Sequence, residues 1–293
     1  MDGITSFLDK ASGFIWGPPL LVLLVGTGIF LTVRLGFIQV RLLPYSLKQV
    51  FSRKHNKKAD GDISQFQALM TAMAATVGVG NIVGVATAVY MGGPGAIFWM
   101  WLAGFFGMAT KYGEAILAVK YRVKDSKGQM AGGPMYYLEH GLKQKWLGIM
   151  FAIFGALAAF GIGNGTQSKA VADVMNSTFN VPHWITGIAL LIFAGLVILG
   201  GIKSIGRVTA FFVPIMALFY FIAGAIVVIM NFDLVPAAFG LIFSDAFTGQ
   251  AAAGGAIGAV IRFGVARGLF SNEAGLGSAP IAAAAAKTDM PGR

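Results

Sequence analysis

Residues 74–84 read Ala74-Ala75-Thr76-Val77-Gly78-Val79-Gly80-Asn81-Ile82-Val83-Gly84 and lie in the middle of an uncharged run, 63–90. That run is long enough to cross a bilayer. Its flanks suit a helix but its centre does not: each glycine costs about 1 kcal/mol against alanine, and threonine and valine are weak formers. A helix that unwinds at mid-membrane bares N–H and C=O groups that lipid cannot satisfy, so they must line a cavity or hold a ligand. That is the physical description of a broken-helix substrate and ion site. The alternative is an unbroken, close-packed helix, because Gly80 and Gly84 also form a G-x-x-x-G pair, a common packing device.

The rest of the composition puts this run in an integral membrane protein. Of 293 residues, 56% are hydrophobic and 12% charged, where a soluble domain carries about 25% charged; the mean hydropathy is +0.74. A net charge of +10 in a soluble domain would raise the question of nucleic acid. Here most of the basic residues fall in a few loops, and no nucleic-acid partner is expected. With no cysteine and three scattered histidines, neither a disulfide framework nor a zinc site is expected, and no cofactor. The lead 1–13 carries Asp2 and Asp9 where a signal peptide has basic residues, so it is not read as one.

The pattern predicts an all-α membrane protein with seven transmembrane helices, at 14–33, 63–90, 96–119, 146–174, 184–200, 208–230 and 251–286. The fourth is interrupted by Gly161-Ile162-Gly163-Asn164-Gly165-Thr166-Gln167, and the seventh is overlong and broken near 270–280. Between them lie a basic loop (34–62), a turn (91–95), and a second basic loop (120–145) whose glycine-rich part suggests turns and a short interfacial helix. A short loop (176–183), a tight basic turn (201–207) and a longer loop (231–250) follow. With the N-terminus outside, the inner segments hold 18 of the 22 lysines and arginines, including Arg53, Lys54, Lys57, Lys58 and Lys111, and the outer loops hold none. The positive-inside rule then fixes the orientation in the cell membrane. Spans two and seven run in opposite directions, and both are small-residue segments broken near the middle. Such a pair in inverted halves is the best sequence pointer to a transporter site, and it favours binding over simple packing at 74–84.

Half-helix N-termini carry partial positive charge and free N–H groups that suit a carboxylate, while half-helix C-termini offer carbonyls to a cation. The candidate sodium ligands are the carbonyls of Ala74, Thr76 and Val77 and the side chain of Asn81. Gly78 and Gly80 let a substrate approach the backbone without a Cβ in the way. The second break reads Phe270-Ser271-Asn272-Glu273-Ala274-Gly275-Leu276-Gly277-Ser278. An ionisable group such as Glu273 near the bilayer centre is functional by default; its plainer role is to partner Arg267. Ser271 and Asn272 either meet the ligand or satisfy loosened backbone. Gln167 faces either the site or a neighbouring helix. Lys169, Arg262 and Arg267 are read as snorkelling or vestibule residues, and Lys111 with Glu114 as an interfacial pair. No paired carboxylates, histidine cluster or nucleophile elbow points to an enzyme.

Gly92-Gly93-Pro94-Gly95-Ala96-Ile97-Phe98-Trp99-Met100-Trp101-Leu102-Ala103-Gly104-Phe105-Phe106-Gly107-Met108-Ala109-Thr110 resembles the diagnostic stretch of the sodium:alanine symporter family. The breaks at Thr76-Val77-Gly78-Val79-Gly80-Asn81 and 270–275, and the segment 131–137, resemble it too. The resemblance implies a leucine-transporter-like inverted-repeat core in one transmembrane domain, 1–293. That domain has an extra first helix at 14–33, a first repeat at 63–230 and the first helix of the second at 251–286. It implies cotransport of alanine or glycine with sodium, or less often protons. Thr76, Gly78, Gly80, Gln167, Phe270, Ser271, Asn272, Glu273 and Gly275 are then substrate-site candidates, and Ala74, Thr76, Val77 and Asn81 sodium candidates. Against the family's ten-helix core, the chain looks truncated after its sixth core helix, which leaves a non-transporting membrane remnant as the alternative.

Overall fold

The structure, a computed structural model, describes residues 2–50, 59–247 and 257–292. Arg53, Lys54, Lys57, Lys58 and the first residues of the expected seventh span lie outside them. In chain order the helices are α1 (Asp2–Ile15), α2 (Pro18–Arg34), α3 (Ile38–Arg41), α4 (Leu43–Val50), α5 (Gln65–Thr76), α6 (Val85–Gly92) and α7 (Ala96–Lys120). There follow strands β1 (Val123–Lys124) and β2 (Met130–Ala131), then α8 (Pro134–Tyr136), α9 (Lys145–Ala158), α10 (Thr166–Phe179), α11 (His183–Leu199), α12 (Gly201–Met230), α13 (Val235–Ala246), α14 (Ile257–Asn272) and α15 (Ala279–Ala284). The strands pair antiparallel, Val123 opposite Ala131 and Lys124 opposite Met130.

Three helical stretches among the described residues are long and apolar enough to cross a membrane: Thr5–Arg34, Lys145–Phe179 and Gly201–Met230. Gln65–Thr76 with Gly80–Gly92 makes a fourth when taken as one broken span. The other three expected spans fall short of that measure. α11 is apolar but has 17 residues, α14 has 16 described residues, those before Ile257 lying outside the description, and α7 is long enough but carries Lys111 and Glu114.

Several expected loops are helical. The lead is α1, and the basic loop after the first span folds as α3 and α4. The expected turn at 201–207 is the first part of α12; the turn itself falls on Gly200, followed by Gly201 at φ +66°. The interruption in the fourth span is a π-helical stretch, Ala159–Gly165, with helix on either side, so the glycines there widen the winding without breaking it. The helix starts follow local rules. Two prolines open α2, where a missing N–H costs nothing. Ser64 and Gln67 form a reciprocal capping box on α5.

The chain divides into two compact units. One comprises Met1–Phe51, Gly80–Gly113 and Tyr220–Leu276; the other comprises Ser52–Val79, Glu114–Phe219 and Gly277–Arg293. Two of the divisions, after Val79 and after Leu276, fall inside the two breaks read from the sequence.

In the first unit α14 presents glycines to α7. A Cβ on Gly264 would stand 2.6 Å from the Ala96 carbonyl oxygen and 2.7 Å from Trp99 Cβ, and one on Gly268 3.0 Å from Ala103 Cβ. Four-residue spacing of small residues lets helix backbones approach this closely. Val265 and Leu269 complete the contact with Ala103. Gly264→Val is therefore expected to cost about 1–3 kcal/mol through overpacking, read as a lower melting temperature of the detergent-solubilised protein. At one end an aromatic group of Phe98, Trp99, Phe243 and Phe247 is held by Trp99 Nε1 donating to the Ala246 carbonyl (3.3 Å) and Gly95 N–H donating to the Asp245 carboxylate (2.8 Å).

The second unit is built around α5 and α15. Gly206 of α12 lets Ile63 and Gln67 come close: its Cβ would meet them at 3.2 and 3.3 Å. The Thr71 and Thr209 hydroxyls hydrogen-bond at 3.0 Å. Gly277, at φ +80°, has Phe151 and Pro134 where its Cβ would be.

Candidate functional site

Both segments lose their winding where the sequence is weakest, over fewer residues than expected. α5 ends at Thr76, whose hydroxyl donates back to the Ala72 carbonyl at 2.9 Å. Val77 is extended, with ψ 92°, and Gly80–Gly84 winds as a π-helical turn ahead of α6. The unwound part is thus Val77 and Gly78. In the other segment α14 keeps its winding through Asn272, and helix resumes at Ala279. Phe270, Ser271 and Asn272, expected within the break, are the last residues of a helix; the break is residues 273–278. Its first residue, Glu273, has φ +49°, and Gly275 and Gly277 follow at +82° and +80°. Left-handed backbone just past a helix normally falls to glycine, so the carboxylate sits where the local rule favours no side chain.

In the first unit the outer edge of one break meets the end of α14. A Cβ on Gly80 would lie 3.4 Å from the Phe270 ring and 3.5 Å from Ser271 Cα, so the absence of a side chain lets the two backbones approach. The Ser271 hydroxyl donates to Asn81 Oδ1 at 2.5 Å, and Ser271 is 6% exposed. The Tyr220 hydroxyl donates to the Asn81 carbonyl oxygen at 3.3 Å. Gly80, Asn81, Phe270 and Ser271 are therefore brought together. Asn272 and Gly275 are turned elsewhere. The Asn272 amide lies beside Gly104 of α7, 3.2 Å from where a Cβ would be. Gly275 faces Leu24 and Thr110, and a Cβ there would stand 2.6 Å from Leu24 Cδ2.

In the second unit the candidates are Ala74, Thr76, Val77, Gly78 and Gln167. Gln167 Oε1 accepts the Val79 N–H at 3.3 Å and lies 3.4 Å from where a Gly78 Cβ would be. Expected to face either the site or a neighbouring helix, it pairs a backbone N–H beside the break. Gln167→Ala is expected to leave that N–H unpaired at a cost of about 1–3 kcal/mol, seen as faster amide exchange at Val79. Lys169, read as a snorkelling or vestibule residue, is paired with Asp173 at 2.6 Å, and Asp173 also meets His183 Nε2 at 3.1 Å. Arg262 donates to the Gly13 carbonyl oxygen at 3.3 Å in the first unit.

Sequence reasoning missed Tyr220. Its one signal is a phenol in an otherwise apolar stretch of the sixth span, and a hydroxyl there needs a partner.

Two apolar segments, each with its helix interrupted and one with a carboxylate at the interruption, are features of a membrane transport protein. The chain belongs to the sodium:alanine symporter family, whose family model matches residues 1–293. It is similar to the sodium/alanine symporter AgcS of Methanococcus maripaludis, 61% identical over 292 residues, which cover 98% of this chain and 64% of that protein. It is also similar to the probable sodium/glutamine symporter GlnT of Bacillus subtilis, 41% identical over 281 residues (96% of this chain and 58% of that protein). A third relative is the amino-acid carrier protein AlsT of Bacillus subtilis, 39% identical over 288 residues (98% and 61%). The chain thus spans from 58% to 64% of the length of these relatives. The family is one of transporters and not of enzymes.

Proposed function

We propose that the protein carrying this chain is a secondary active symporter that moves alanine or glycine into the cell with sodium. The observation that carries the reading is the double break: residues 77–78 and 273–278 leave peptide groups unwound in segments that must otherwise satisfy them internally. In this reading all seven segments span the cell membrane with the N-terminus outside, and the domain is the first part of a leucine-transporter-like inverted repeat. In the second unit, the carbonyls of Ala74 and Val77 and the Thr76 oxygen supply the hard oxygen ligands that sodium needs. In the first, Asn81 offers an amide oxygen, and the backbone beside Gly80 and at 273–278 suits an amino acid's charged ends. The glutamine in one relative's name and the alanine in another's leave substrate size as the property to measure.

The test uses the full-length protein in proteoliposomes and labelled alanine. An inward sodium gradient should drive accumulation, and sodium should tighten alanine binding by about 5–150-fold, the usual range of coupling between two sites. Uptake indifferent to sodium would remove the ion assignment; uptake of neither alanine nor glycine would remove the substrate.

A further inference from the structure

Arg122 follows α7 in a loop of basic residues, where a snorkelling side chain would carry its charge into water. Its guanidinium instead donates four hydrogen bonds to backbone carbonyls. Nη1 reaches Ala284 (2.9 Å) and Ala286 (2.7 Å), and Nη2 reaches Asp60 (2.9 Å) and Thr288 (2.8 Å). Ala284 is the last residue of α15, whose final carbonyls lack partners within the helix. Asp60 lies a few residues ahead of α5. A cation at the end of α15 also complements its dipole.

Around the guanidinium the two chain segments pair directly. Ile63 and Ala286 form a parallel bridge. The N–H groups of Asp62 and Ile63 both donate to the Ala285 carbonyl, at 2.8 and 3.2 Å, and Lys287 N–H donates to the Ile63 carbonyl at 2.8 Å. The Asp62 carboxylate takes the Met130 N–H at 2.7 Å, and Lys124 bridges Asp60 at 3.0 Å. Beneath lie the buried side chains of Ile63, Ala68, Ala285 and Ala286, with Ile202 against them. Burial lowers the Arg122 pKa and the Asp60 and Asp62 carboxylates push it back up, so the charge is held where it pays off only by bonding. Planar, with five donors in a fixed fork, a guanidinium can serve several carbonyls at once; a lysine ammonium is a single point.

We propose that Arg122 is a positioning residue for transport: it clasps the start of α5 to the end of α15, so that these two halves of the broken helices move as one body throughout the cycle. The role in transport rests on the symport reading above; the clasp itself does not. Carbonyls at Ala74 and Val77, at the far end of α5, keep their place relative to α15 only while the near ends are tied.

The chain has no cysteine, so one introduced by Ala285→Cys, at a position 3% exposed, reports alone. The full-length protein carrying it is treated with a fluorescent maleimide, with and without sodium and alanine. With Arg122 intact, labelling should be slow and unchanged by either addition. Arg122→Gln should speed it by about tenfold or more, and Arg122→Lys by less, because several charge-assisted bonds are lost. Equal labelling in Arg122→Gln overturns the clasp. Acceleration by sodium and alanine in the Arg122 protein also overturns it, since the contact would then open in each cycle. Should Arg122→Gln aggregate, the Arg122→Lys comparison and the sodium and alanine arm decide. In proteoliposomes, Arg122→Gln should lower the maximal uptake rate about tenfold while apparent KM for alanine stays within about twofold; unchanged uptake removes the positioning role. If the Arg122 protein itself takes up no alanine, the transport reading fails, and the labelling still judges the clasp.

Discussion

Glu273→Gly is expected to abolish sodium-driven alanine uptake without lowering the melting temperature. The residue occupies φ +49° just past the end of α14, a conformation that costs a side-chain-bearing residue about 1–2 kcal/mol and glycine nothing. It also places an ionisable group in the interior of an apolar segment, where such groups cost about 2.5–3.5 kcal/mol on insertion scales. Two local penalties at one position mean that the rest of the molecule holds the residue there, and strain of this kind gathers at functional sites. Glycine at the same position removes both penalties along with the carboxylate and its contacts. If the carboxylate meets a substrate ammonium or a coupling cation, its loss should lower uptake by about a hundredfold or more, the scale of losing a charged partner in a desolvated site. Glu273→Gln separates the terms: it keeps the backbone strain and the shape but not the charge, and should lose uptake to a similar extent. Normal uptake in both variants would make Glu273 structural. A large fall in melting temperature in both would do the same, by showing that the carboxylate holds the helix end together.

The two breaks were legible because they depend on composition: Thr-Val-Gly-Val-Gly and Glu-Ala-Gly-Leu-Gly are weak helix formers, although the glycine-rich Ala159–Gly165 stays wound. Their extents were not legible. Ser271 and Asn272 stay wound although both favour turns, because Leu269 packs beside them into the core with Ala103 and Val265; tertiary contact overrode propensity. Gly80–Gly84 winds as a π turn where composition signals only weakness. The turn expected at 201–207 is helix because Gly200 and Gly201, the latter at positive φ, make the turn before it, leaving Lys203 and Arg207 on the first turns of α12. Partners far apart in sequence were invisible. Tyr220 reaches Asn81 across 139 positions and Arg122 reaches Ala284 across 162, and no local pattern announces either. Span seven is the least complete case, since residues 251–256 lie outside the described chain and α14 alone has 16 residues.

The bond between Ser271 and Asn81 leads to the second large effect. At 2.5 Å, with Ser271 6% exposed, it ties the end of α14 to the π turn that follows the first break. Ser271→Ala leaves the Asn81 amide oxygen without that donor, at about 1–3 kcal/mol, and should weaken sodium-dependent alanine binding by about 10–100-fold. Asn81→Ala should cost at least as much, because it also removes the amide oxygen proposed for sodium. The two losses should not add. Once Asn81 is alanine, the serine has no partner to lose, so the double variant should bind about as weakly as Asn81→Ala alone, with a coupling of about 0.5–3 kcal/mol in the cycle. Sodium dependence divides the remaining roles: if Asn81 touches the ion, Asn81→Ala should flatten the sodium curve while Ser271→Ala only shifts it. Additive losses with unchanged sodium curves would mean that the bond merely packs two helices, and that the amino acid is held by other groups.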